Sequence, residues 1–69
     1  MKSREVGRRL LDLDCTLVRQ NGSHERWVSP CGKCFTTVPS HGPRDIKIGT
    51  LRSIQRQMEE CLGKGWLLG

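Results

Sequence analysis

His24 is the residue in this 69-residue chain best suited to chemistry. It follows Asn21-Gly22-Ser23, whose Asn-Gly pair is a strong turn signal, so it stands at the mouth of an expected hairpin. Side chains alternate along a strand, so His24, Arg26 and Val28 share one face and Glu25, Trp27 and Ser29 the other. Trp27 is the bulkiest of the six and is expected to point into the core, which leaves His24 and Arg26 on the opposite, open face. Arg19, late in the preceding strand, comes close across the turn. A free imidazole titrates at about 6.5 and moves protons at neutral pH. Guanidinium groups beside it can steady phosphate oxygens as charge builds. The set suits a phosphodiester. It also admits a plainer reading, a solvated turn histidine that caps backbone groups, and on their own these residues name no reaction. His41 stands in the loop of residues 39–43 among Pro and Gly and is read as loop filler.

Four cysteines stand at 15, 31, 34 and 61. Cys31-Gly-Lys-Cys34 has the spacing of a zinc knuckle or a redox pair. A closed zinc site needs two further ligands, usually a second close pair, and Cys15, Cys61, His24 and His41 do not form one. No strand–Cys-x-x-Cys–helix pattern surrounds the motif. Met1-Lys2-Ser3-Arg4-Glu5 leads into no continuous apolar run, so no export signal is expected, and the thiols are expected to be reduced in the cytoplasm. Residues 30–33 are then a hairpin turn flanked by thiols. No apolar run reaches the roughly 18 residues that would cross a bilayer.

Charge narrows the partners. Twelve Lys and Arg against seven Asp and Glu give a net +5, and eight of the twelve cations are Arg. Arg is the better residue for forked phosphate contacts. The balance suggests nucleic acid, an anionic membrane surface or an acidic protein. Size narrows the classes further. A chain of this length buries only about 60% of its unfolded surface, which excludes an enzyme that encloses a large cofactor and leaves a binding module, a minimal hydrolase or half of a complex.

The elements that must position His24 follow from period and punctuation. Ser3 is a plausible N-cap with Glu5 in the first turn, and Val6, Leu10 and Leu13 make one helical face ending near Asp14. Gly7 weakens that helix by about 1 kcal/mol relative to Ala. Residues 15–19, 24–29 and 34–38 read as three strands, joined by the Asn21-Gly22 turn and the turn at 30–33. Thr50 is the expected cap of a second helix. Leu51, Ile54, Met58, Cys61 and Leu62 are its apolar stripe and Gly63 its stop. Trp66 and Leu67, in the tail 61–69, either fold back on the core or serve a partner. The order is α-β-β-β-α. This is a single α+β domain in which both helices cover one face of a three-stranded antiparallel sheet and the other face stays open.

Four blocks together resemble HicA-type toxins, also called YcfA-like proteins. They are Met-Lys-Ser-Arg-Glu-Val at the start, residues 17–24 (Leu-Val-Arg-Gln-Asn-Gly-Ser-His), Thr37-Val38-Pro39, and residues 48–54 (Ile-Gly-Thr-Leu-Arg-Ser-Ile). The resemblance implies a fold like a double-stranded-RNA-binding domain and a ribosome-independent mRNA interferase. It implies that His24 is the catalytic residue, that no metal or organic cofactor is used, and that a cognate HicB-type antitoxin covers the histidine. Arg19, Arg26 and Lys33 are candidates for holding the backbone of a single-stranded message. Two other classes stay open: a non-catalytic RNA-binding module, which would bind in a salt-sensitive way without cutting, and a protein-interaction domain with no RNA affinity at physiological salt.

Overall fold

The structure is a computed structural model that describes residues 1–40 and 42–69. His41 lies outside the described residues. The order is α1 (Ser3–Asp12), β1 (Thr16–Asn21), β2 (His24–Val28), β3 (Phe35–Pro39) and α2 (Ile48–Leu62). The three strands form one antiparallel sheet in the order β1-β2-β3.

The first helix is capped one residue earlier than expected. Lys2 takes the extended N-cap conformation, Ser3 is the first helical residue, and the Glu5 carboxylate accepts from the Lys2 backbone N–H at 3.1 Å. At the other end the helix stops at Asp12, because Asp14 adopts a left-handed conformation with φ 64°. The N–H groups of Asp14 and Cys15 then turn back to the carbonyls of Leu11 and Leu10, at 3.0 and 2.9 Å. This is a Schellman stop with an aspartate in the seat that glycine usually takes. The second helix starts at Ile48, not after Thr50. Lys47 is extended, and its carbonyl accepts from Leu51 N–H at 3.0 Å, so the helical ladder opens three residues earlier than the threonine suggests. Gly63, at φ 97°, ends it.

The alternation in β2 resolves as expected, with Trp27 buried and His24 and Arg26 exposed. Trp27 joins Val6 and Leu10 of α1, Val38 of β3, and Leu51, Ile54 and Met58 of α2 in the core. Full burial of each aliphatic side chain stabilises the fold by about 1.5–3 kcal/mol. Thr36, also buried, donates to Gln57 Oε1 at 2.6 Å and ties the sheet to α2. The tail folds back. Trp66 and Leu67 are buried, Trp66 Nε1 donates to the Gln55 carbonyl at 2.9 Å, and Gln55 Oε1 accepts the Leu67 and Leu68 N–H groups at 3.2 and 2.6 Å. Arg9 donates to the Trp66 carbonyl at 3.3 Å from the α1 side.

The cysteines correct the sequence expectation. Cys34 and Cys61 form a disulfide, joining the residue before β3 to the last turn of α2 across 27 positions. The expectation of reduced thiols rested on the lack of a visible export signal; linear spacing shows only neighbours, whereas this pair is brought together by α2 packing beneath β3. Cys31 is thereby left without its motif partner, exposed, beside a buried and free Cys15. The turn at 30–33 is present: Gly32 N–H reaches the Ser29 carbonyl at 2.9 Å, and Ser29 N–H reaches the Cys34 carbonyl at 2.9 Å.

Candidate active site on the open sheet face

Register decides which side chains meet. Asn21 pairs with His24 and Arg19 with Arg26 across β1 and β2, while His24 pairs with Pro39 and Arg26 with Thr37 across β2 and β3. Cross-strand partners share a face. His24, Arg19, Arg26, Asn21 and Thr37 therefore gather on the side away from the helices, where they line a shallow hollow of about 180 Å³. A bulge at Val18 makes this possible. Leu17 pairs with Trp27 and Arg19 with Arg26, so one extra residue of β1 is inserted between them. That insertion turns Leu17 toward the helix side and keeps Arg19 on the open side. Pro39, which has no N–H to give, is tolerated because β3 is an edge strand.

The hollow holds one imidazole, two guanidiniums, an amide and a hydroxyl, all exposed. None of the cations in it has a carboxylate within ion-pair distance among the described residues. The site is a cluster of donors with one proton-transfer group, open to a polyanion of extended shape.

Lys33 does not join it. It sits on the turn between β2 and β3, at the other end of β2 from His24, and lines a separate hollow of about 410 Å³ with Phe35, Thr37 and Gln57. Thr37 borders both hollows. Asn21, Thr37 and Phe35 were not singled out from the sequence. The signal for Asn21 was present in its symmetric position about the turn. Thr37 and Phe35 required the β2–β3 register, which the long turn at 29–34 conceals. A third hollow, about 680 Å³, lies on the helix side between α1 and β1, with Leu11, Leu17 and Trp27 as its apolar walls and Arg4 and Arg8 at its rim.

The thiols divide by environment. Burial pushes the Cys15 thiol up, and the charge of Asp14 adds to this. A hydrogen bond with Ser29, whose Oγ lies 3.2 Å from the sulfur, pulls the exposed Cys31 thiol down, helped by a backbone bond from Lys33. Among the described residues no three His, Cys, Asp or Glu side chains converge as a metal would need.

The family model for the HicA toxin of bacterial toxin–antitoxin systems matches residues 3–59. The chain belongs to the HicA toxin family. The match takes in His24, Arg19, Arg26 and Lys33; Cys61 and the tail packed on Gln55 lie beyond it. No curated protein and no solved structure matches the chain. This HicA protein is thus a toxin of a toxin–antitoxin pair, with an antitoxin as the partner that its family calls for. Among the described residues no helix is long and apolar enough to cross a membrane.

Proposed function

We propose that this HicA toxin is a ribosome-independent endoribonuclease that cuts single-stranded mRNA in the cytoplasm, with His24 as the acid/base. The observation that carries this reading is the exposed imidazole of His24 sharing one hollow with the guanidiniums of Arg19 and Arg26. His24 takes the proton of a ribose 2′-OH, the 2′ oxygen attacks the adjacent phosphorus, and the P–O5′ bond breaks. The 5′ oxygen collects its proton from the imidazolium or from water. The products are a 2′,3′-cyclic phosphate and a 5′-hydroxyl end. Arg19 and Arg26 hold the non-bridging oxygens as charge accumulates on them. One positioned acid/base contributes about 10²–10⁴-fold, and orientation and charge stabilisation supply the rest. These side chains provide proton transfer and charge neutralisation themselves, so the reaction calls for no metal or organic cofactor. Slow turnover suits a toxin, since a single cut disables a message.

The partner in this reading is a HicB-type antitoxin that covers the His24 face and presents acidic residues to it. Charge complementarity of that kind raises the association rate more than the affinity. An association rate with the cognate antitoxin that does not fall as salt rises would contradict it.

The reading is tested with three oligonucleotides of one sequence: RNA, DNA, and RNA carrying a single 2′-deoxy sugar at the cut. Cleavage of the RNA to a cyclic phosphate end is expected, with the other two intact at that position. Equal cleavage of the DNA would remove the 2′-OH from the mechanism.

A further inference from the structure

Phe35 is the chain's one phenylalanine, and it is not in the core. It stands 54% exposed on the same open face as His24, next to Thr37 on β3. Its ring lies under a cation: the guanidinium carbon of Arg26 is 4.3 Å from the ring centroid. A contact of this kind holds both groups in a defined orientation while leaving flat surface open to solvent. Phe35 also bounds the hollow that contains Lys33 and Glu60, and Thr37 borders both that hollow and the one around His24. A line along β3 therefore meets, in order, the imidazole with its two arginines, then the Arg26–Phe35 stack, then Lys33.

An exposed aromatic ring flanked by cations is the pattern by which proteins hold single strands: phosphates take the charges and a base stacks on the flat group. Both aromatic rings and guanidinium planes serve as stacking surfaces for unpaired bases. We infer that the Arg26–Phe35 pair is a base-stacking subsite that seats a nucleobase flanking the scissile phosphate, with Lys33 taking the phosphate beyond it. The inference rests on the RNA-cleaving reading above and adds what that reading lacks, a group that contacts the base. Four residue steps separate the positions of β3 that face His24 and carry Phe35, or about 13 Å at strand rise. The stacked base thus belongs to a neighbour of the nucleotide that is cut. Duplex RNA cannot use the subsite, because its bases are already stacked on one another, so the pair selects single strands.

The test uses the full chain carrying His24→Ala, with binding of a labelled single-stranded oligoribonucleotide read by fluorescence anisotropy at fixed salt. Adding Phe35→Ala is expected to weaken binding roughly 5- to 150-fold, with the melting temperature kept because the side chain is exposed. Phe35→Tyr is expected to hold parental affinity. An oligoribonucleotide of equal length with abasic sugars is expected to bind the parent and the Phe35→Ala protein alike. Three results overturn the subsite: equal affinity of parent and Phe35→Ala for intact RNA, an equal loss on the abasic strand, or no measurable binding by the parent. Cleavage by the otherwise unaltered protein is scored separately. If it cuts RNA and Phe35 has no effect, the subsite fails and the nuclease reading stands. If it cuts nothing while Phe35→Ala still weakens binding to intact RNA alone, the reverse holds.

Discussion

Arg19 and Arg26 are direct cross-strand partners, two guanidiniums set opposite each other on the open face of the sheet. Like charges placed so are unfavourable for a sheet. The pair stands beside His24 and outside the core, an arrangement in keeping with the proposed grip on phosphate. Replacing one of them should separate stability from function. Arg19→Gln is expected to raise the melting temperature modestly at low salt. The same change should weaken RNA binding and reduce the salt slope of log K by about one. Thermal melts and a salt titration of binding check this; a lower melting temperature would show that the pair supports the fold.

Asp14 carries the left-handed turn that closes α1, at φ 64°. L-residues are disfavoured there by about 1–2 kcal/mol, less for Asp than for most, and glycine takes the seat without that penalty. Asp14→Gly is therefore expected to stabilise the protein by about 0.5–1 kcal/mol in urea melts, with cleavage unchanged. A destabilised variant would mean that the aspartate makes a compensating interaction.

Gly7 is buried on α1 against the Trp27 indole, and a Cβ built there would meet Trp27 Cζ2 at 3.5 Å, an ordinary contact distance. The absent side chain is thus close-fitting space for the tryptophan. Gly7→Ala is expected to add about 0.5–1 kcal/mol through helix propensity, whereas Gly7→Leu overfills the contact and should lower stability by about 1–3 kcal/mol. Paired urea melts of the two variants read the difference, and a loss with alanine would show that the indole has no room to give.

The Cys34–Cys61 disulfide closes a loop of 27 positions. In the chain-entropy view a loop of that size stabilises by about 3–4 kcal/mol, a large share of what so small a core can supply. The double variant Cys34→Ser/Cys61→Ser, or reduction of the protein, should shift the urea midpoint down by a corresponding amount. An unchanged midpoint would contradict a structural role for the bond.

Much of this site was legible from local rules. The Asn21-Gly22 turn and the alternation around Trp27 suffice to put His24 and Arg26 on the open face, because both depend on neighbours in sequence. What escaped depends on pairing over distance. The bulge at Val18 keeps Arg19 in register with Arg26, yet nothing in residues 16–21 announces it. Lys33 looked like part of the same phosphate grip, and the length of β2 carries it to the other end of the sheet. Cys34 and Cys61 are partners only because α2 crosses β3. The earlier start of α2 reflects a backbone cap at Lys47 that side-chain preferences alone do not reveal.

In the proposed reaction the His24 imidazole performs the proton transfer. Purified protein and the His24→Ala variant, matched in melting temperature, are incubated with one single-stranded RNA at equal concentration, and the initial rate of strand scission is measured. His24 is exposed and forms no part of the core, so the variant should fold as its parent does. Its rate should fall by about 10²-fold or more. Equal rates from the two folded proteins would show that the histidine is a bystander and that the nuclease reading of this face is wrong.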